Sequence, residues 1–244
     1  MREPAVPIER LVSPADIARL AEEARAAGRI GLDTEFLWER TYAPVPCLAQ
    51  VATATRLAII DPIEGADLAP IAALVADPAV EVIMHAPAAD LVLFARRFGV
   101  RPTRIFDVQL VAGFVGLGTS LAYERLVERA LHVRLVHNET FSNWVKRPLS
   151  DTQIAYAADD VRHLHALADT LTRELAERGR TAHGRRTSWR VATAPRPPPP
   201  IRGRRISSSP AAAAYPDASS PSSARSPRGA RSKPRRAISR SAGS

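Results

Sequence analysis

The sequence predicts an α/β fold: a mixed β-sheet flanked by α-helices, followed by a basic C-terminal tail of different character. Two observations predict it. Short apolar runs come first in succession and then in alternation with helical patterns, and composition changes abruptly after about Gly179.

Ser13 followed by Pro14 is an N-cap and first-turn pair, and apolar residues then recur at helical spacing through Ile17, Leu20, Ala21 and Ala24 up to Gly28. Residues 30–36, 47–53 and 57–60 are short apolar or alternating runs separated by turn-like segments, which predicts three strands in a meander. Asp61-Pro62 stops the third. Residues 68–75 predict a helix, 80–84 a buried strand, and 88–98 a helix ended by Gly99. A short strand near Ile105 and a helix from about Val108 follow. Ser120 is expected to cap an amphipathic stretch reaching Leu131, and Ser150 with Gln153 has the spacing of a capping box opening one last helix over 151–177.

Of the 244 residues, 1–180 hold 20 Lys+Arg and 24 Asp+Glu, net −4, whereas 181–244 hold 14 and 1, net +13, so the overall +9 belongs to the tail. Only Lys146 and Lys233 are lysines, a bias expected of GC-rich codons. The tail is dominated by Pro, Arg, Ser, Ala and Gly and has too little apolar area to offset its ordering entropy, so it is expected to be disordered. In GC-rich codons the stretch 181–190 can also be written so that an alternative frame continues the preceding helix; a frameshift origin is therefore a second reading, which the DNA sequence decides. The single cysteine, Cys47, excludes a disulfide framework and a cysteine-rich zinc site, which suits a reducing cytoplasm. No run reaches the roughly 18 apolar residues of a membrane span, and residues 1–10 lack the apolar core of a signal peptide.

Four carboxylates and a tyrosine carry the chemistry. Asp33 and Glu35, in Gly-Leu-Asp-Thr-Glu-Phe, are two apart at a strand end and project from one face; solvated acids on a frayed end are the plainer explanation. Asp90, in His-Ala-Pro-Ala-Ala-Asp-Leu, falls in the first turn of a helix after a buried strand, where a carboxylate also complements the helix dipole. Tyr156 and Asp160 are four apart and share a helix face, while Asp159 is expected to point away into solvent. Hard divalent cations prefer oxygen ligands, and two of them about 3.5–4 Å apart activate a water and stabilise a leaving oxygen in phosphodiester cleavage. A tyrosine hydroxyl beside them orients the water.

Asp-Thr-Glu-Phe at 33–36, His-Ala-x-x-x-Asp-Leu at 85–91, Arg-Pro-Leu-Ser at 147–150 and Tyr-Ala-Ala-x-Asp-Val at 156–161 stand in the order and approximate spacing of the ribonuclease D branch of the DEDD exonucleases, tyrosine subclass, and residues 28–178 resemble it throughout. The resemblance implies a ribonuclease H-like fold over residues 1–180. It implies two divalent ions, Mg²⁺ or Mn²⁺, held by Asp33, Glu35, Asp90 and Asp160, and Tyr156 on the nucleophilic water. It further implies hydrolysis of RNA from a free 3′ end to nucleoside 5′-monophosphates, as in trimming of tRNA precursors, with no small-molecule cofactor. Trp144, Arg147 and Pro148 resemble the family's lead into the last helix, and their role is expected to be mainly structural. His85 matches a recurrent family position that supports the site without being a ligand. Ribonuclease D proper carries helical HRDC domains after its nuclease domain, and residues 181–244 do not resemble them. The +13 tail would then supply sequence-independent, salt-dependent affinity for phosphates.

A DNA exonuclease of the same fold is the nearest rival, because discrimination rests on contacts with the 2′ hydroxyl. A non-catalytic RNA-binding protein working through its tail is the rival from another class. His132, His137, His163 and His165 lack cysteine partners and metal-site spacing. Gly113, Gly116 and Gly118 follow a helix-like run, and Ser120 and Ser142 lack a nucleophile-elbow context.

Overall fold

The computed structural model describes residues 6–37, 44–135 and 143–180; the expected disorder of 181–244 falls outside them. The chain runs β1 (Ile8–Leu11), α1 (Pro14–Ala27), β2 (Arg29–Leu37), β3 (Val45–Ala52) and β4 (Leu57–Ile60). After a 3₁₀ turn at Pro62–Glu64 come α2 (Ala69–Ala76), β5 (Glu81–Met84), α3 (Ala88–Phe98), β6 (Ile105–Asp107) and α4 (Val108–Phe114). Then follow α5 (Tyr123–Leu131), α6 (Asp151–Arg162) and α7 (Leu164–Glu177).

The six strands form one mixed sheet in the order β1-β4-β3-β2-β5-β6. β3 is antiparallel to both β2 and β4, while β5 runs parallel to β2 and β6, and β1 parallel to β4. Strand alternation divides the core. Ile30 and Leu32 of β2, Val82 and Met84 of β5 and Ala58 and Ile60 of β4 pack against α1, α2 and Phe94 of α3. On the other face Ile83 and Leu57 meet α4, α5 and α7, and Leu48 and Ile59 meet Trp144, Leu149 and Ala157 of α6. Helices therefore cover both faces, as expected of this class of sheet.

Three expectations are corrected. β1 was not expected: Ile-Glu-Arg-Leu has no usable pattern by itself, and it becomes a strand by pairing with β4 from Ile8 opposite Leu57 to Leu11 opposite Ile60. The helix expected over 151–177 is two helices, α6 and α7, parted at His163 with φ −100° and ψ 0°. Ser120 does not cap α5; it sits in a loop at φ 54°, and the cap position is Ala122, two residues later.

Two local devices deliver α6 to the sheet. The first is the capping box: Ser150 Oγ accepts from the Gln153 amide at 3.2 Å, and the Gln153 side chain accepts from the Ser150 amide at 3.0 Å. The second is a buried ion pair. Arg147 donates through Nε to Asp61 Oδ2 at 2.7 Å, through Nη2 to Asp61 Oδ1 at 2.6 Å and to the Cys47 carbonyl at 2.9 Å. Its Nη1 donates to the Trp144 carbonyl at 2.7 Å. Asp61 in turn accepts from the amides of Ile63 and Glu64 at the start of the 3₁₀ turn. The segment entering α6, including the cis Arg147-Pro148 bond, is thus clamped to the ends of β3 and β4. These contacts make Arg147 a tie between that segment and the strand ends.

A third constraint is Gly31, where a Cβ would stand 3.2 Å from Leu164 Cβ. β2 and the first residue of α7 approach closely there, which holds the end of α6 against β2.

Removing one partner of a buried, fork-paired ion leaves the other charge stranded, at a cost of about 3–5 kcal/mol. Arg147→Ala is expected to lower unfolding stability by about that amount, and Arg147→Lys by a large fraction of it, in urea denaturation followed by circular dichroism. A loss below about 1 kcal/mol, the range of an exposed pair, would show the clamp to be superficial.

Candidate active site

The carboxyl end of β2 and the loop after the carboxyl end of its parallel neighbour β5 lie side by side, the usual place for a ligand in an α/β sheet. Asp33 and Glu35 project from β2 onto the face covered by α6, and the strand register shifts between Glu35 and Phe36. Thr34, between them, points the other way: its Oγ1 donates to Asp90 Oδ1 at 2.5 Å. Asp90 is in the first turn of α3 and only 7% exposed. From above, α6 brings Asp160. Carboxylate oxygens of Asp33, Glu35 and Asp160 all lie within 4.8 Å of one another. Asp90 stands beside this trio, and its charge is the strongest of the three acting on Asp33.

Crowding shows in the acidities. Burial first, then the charges of Asp90, Asp160 and Glu35, holds Asp33 well above the usual carboxylate range. Burial and Asp90 push Glu35 to about 7. Burial lifts Asp160 to about 8, helped by Glu35, Asp159 and Glu124, and lifts Asp90 to about 6 against the Thr34 hydrogen bond. Such a group ionises fully only when cations balance it. All its donors are carboxylate oxygens, the set that suits a hard divalent ion.

The cluster opens onto a cavity of about 320 Å³, whose walls include Tyr156, Tyr123 and His85. Tyr156 is one helical turn before Asp160, and its ring packs on Trp144 at 6.1 Å between centroids. The imidazole of His85 packs edge-on to Tyr123 at 5.5 Å, and its Nε2 is 2.9 Å from the Leu121 carbonyl. Burial holds His85 below its ordinary value, so a neutral ring donates that bond. The tight turn after His85 puts Ala86 at φ 50°, and Asp107, the N-cap of α4, holds it by accepting from the Ala86 amide at 3.1 Å.

Of the five residues singled out in sequence, Asp33, Glu35 and Asp160 converge, Tyr156 lines the same cavity, and Asp90 lies beside them but outside that lining. Asp159 does not point into open solvent as expected: it lines the cavity edge and accepts from Arg162 Nε at 2.9 Å. His163 and His165 lie off the cluster, His165 Nε2 being 3.1 Å from the Ala52 carbonyl, and His132 ends α5. His137 and Ser142 fall outside the described residues. Sequence reading did not single out Thr34, Asp107, Tyr123 or Gln50. Thr34 had a signal in its place between two acids; the rest depend on strand pairing and loop geometry.

Residues 10–176 match the family model of the 3′-5′ exonuclease domain. The chain is 43% identical over 171 residues to ribonuclease D of Xanthomonas oryzae pv. oryzae, covering 70% of this chain and 47% of that protein. It is 38% identical over 173 residues to ribonuclease D of Pseudomonas paraeruginosa, covering 71% and 46%. It superposes on the crystal structure of Escherichia coli RNase D, an exoribonuclease involved in structured RNA processing, with a TM-score of 0.68 and 34% identity over 73% of this chain and 48% of that one. The chain thus spans less than half the length of these relatives.

A raised carboxyl pKa means that the folded state keeps protons the unfolded chain has released, so metal-free stability falls as pH rises toward the folded value. Between pH 7.0 and 8.5, where Asp160 at about 8 titrates, the denaturation midpoint of the protein in chelator is expected to drop. Added Mg²⁺ should restore it, and Asp160→Asn should flatten the slope. A midpoint independent of pH would show that the carboxylates are not crowded.

Proposed function

Because this chain belongs to the 3′-5′ exonuclease family, in its ribonuclease D branch, we propose that it is a metal-dependent exoribonuclease. In this reading it removes nucleotides singly from a free 3′ end and releases nucleoside 5′-monophosphates. The observation that carries the reading is the convergence of Asp33, Glu35 and Asp160 within 4.8 Å, with Asp90 hydrogen-bonded beside them. These four carboxylates would hold two divalent ions, Mg²⁺ or Mn²⁺, which when bound supply a water of lowered pKa and charge stabilisation at the leaving oxygen.

The protein's own groups do the positioning. Tyr156, one turn from Asp160 and packed on Trp144, would orient the attacking water with its hydroxyl. Asp90 is held in place beside the cluster by Thr34. A cavity of about 320 Å³ is at the small end for ligand sites and suits a single-stranded chain end. The RNA substrate rests on the ribonuclease D relatives and extends to trimming of tRNA precursors in the cytoplasm. No helix among the described residues is long and apolar enough to cross a membrane. Residues 1–180 would form the nuclease domain and 181–244 a basic accessory arm.

Digestion of 3′-labelled RNA, 3′-blocked RNA and matched DNA, with Mg²⁺ or Mn²⁺ added or chelated, tests this. The parent should shorten free-ended RNA stepwise and leave blocked ends intact, and Asp33→Ala or chelation should abolish activity. Tyr156→Phe should lower kcat by about 10²–10⁴-fold. Equal or faster digestion of DNA would move the assignment to a DNA exonuclease, and an inert parent would overturn the enzymatic reading.

A further inference from the structure

Gln50 sits in the middle of β3 with no exposed surface. Its strand partner on one side is Asp33 and on the other Ile59, so it shares the face of the sheet that carries the acidic cluster and that α6 covers. Both ends of its amide, Nε2 and Oε1, are buried without a hydrogen-bond partner. Its flanks on that face are Leu48 and Ala52, and Ile59 next to it is packed in the apolar cluster under α6.

Such a residue is costly. An amide buried without partners destabilises a fold, and a leucine of similar size would fill the same space at no such cost. Buried polar groups are bonded in nearly all proteins, and an orphan in the core calls for a ligand or a charge that completes it. Here the candidate is adjacent. Directly paired residues of antiparallel strands have Cβ atoms about 4.5–5.5 Å apart, so small rotations bring an amide N–H onto a facing carboxylate. The amide offers two donors, which an ionised carboxylate accepts, and any oxygen of Asp33 not engaged by a cation remains to be fixed.

We propose that Gln50 is a positioning residue: its side-chain amide hydrogen-bonds the Asp33 carboxylate and fixes its orientation when a divalent cation binds. The assignment rests on the metal-site reading above and adds to it a residue that touches neither substrate nor cation. Gln50 would thus lower the stability of the metal-free core and raise its cation affinity, two effects of opposite sign that an inert core residue would not link.

The test uses the full chain. Mn²⁺ binding is measured by calorimetry, and Tm in chelator by circular dichroism, for the parent, Gln50→Leu and Gln50→Met. Both variants are expected to keep or raise Tm without cation, and to weaken Mn²⁺ binding by about 10–100-fold, the usual effect of removing a residue that orients a metal ligand. A second measurement uses the unaltered protein. The chain has three glutamines, Gln50, Gln109 and Gln153, so selective ¹⁵N labelling gives three side-chain amide pairs, assigned by substitution. The Gln50 pair should shift on saturation with Mg²⁺. Folded variants binding Mn²⁺ within twofold of the parent, or an unmoved Gln50 pair in Mg²⁺-saturated protein, would overturn the proposal. A parent that takes up no cation would instead remove the metal-site reading itself.

Discussion

Electrostatic crowding of Asp33, Glu35, Asp90 and Asp160 is the constraint on which the rest of the molecule depends. Each of these groups is held above the usual carboxylate range, with burial as the largest cause and its neighbours' charge adding to it for Asp33, Glu35 and Asp160. Left to itself such a cluster would spread into water. It persists only because β2, α3 and α6 are each fixed by interactions elsewhere, the common bargain of a site whose local stability is traded for chemistry.

Those fixings are specific. β2 is an interior strand, and Asp33 and Glu35 both lie in its ladder with β3, so they cannot drift apart. Asp90 is tethered through Thr34, and the turn leading to it through Asp107. α6 has the most to hold, since it brings both Asp160 and Tyr156. The Arg147–Asp61 fork, the Ser150–Gln153 box and the close approach at Gly31 hold it at its start and end. The orphaned amide of Gln50 is the counterpart beside Asp33: a polar group kept in the core where packing alone would choose an apolar one.

Much of this was legible in the sequence, for physical reasons. Strands β2 to β5 and the helices after them bury one face or both, and burial imposes a period that the residues display. The acidic residues stood out because charges at the ends of apolar runs are costly, and their spacing matched a known pattern at four places. Other features had no local signal. Ile8–Leu11 is a strand only because β4 offers it an edge, and the break at His163 carries neither Gly nor Pro. Ser120 was a good N-cap by type but adopts φ 54° in a loop, so the cap falls to Ala122. Strand order, and with it the pairing of Asp33 with Gln50 and the reach of Arg147 to Asp61, depends on tertiary contacts that no short window encodes.

If crowded carboxylates keep protons that only a cation displaces, then cation binding must release protons. The decisive measurement is calorimetric titration of Mn²⁺ at pH 7.0 in buffers of different ionisation enthalpy, which counts them. Crowded carboxylates predict net proton release on binding, growing as pH is lowered and diminished in Asp160→Asn. Binding with no proton release at any pH from 6 to 8 would show that they hold no such protons.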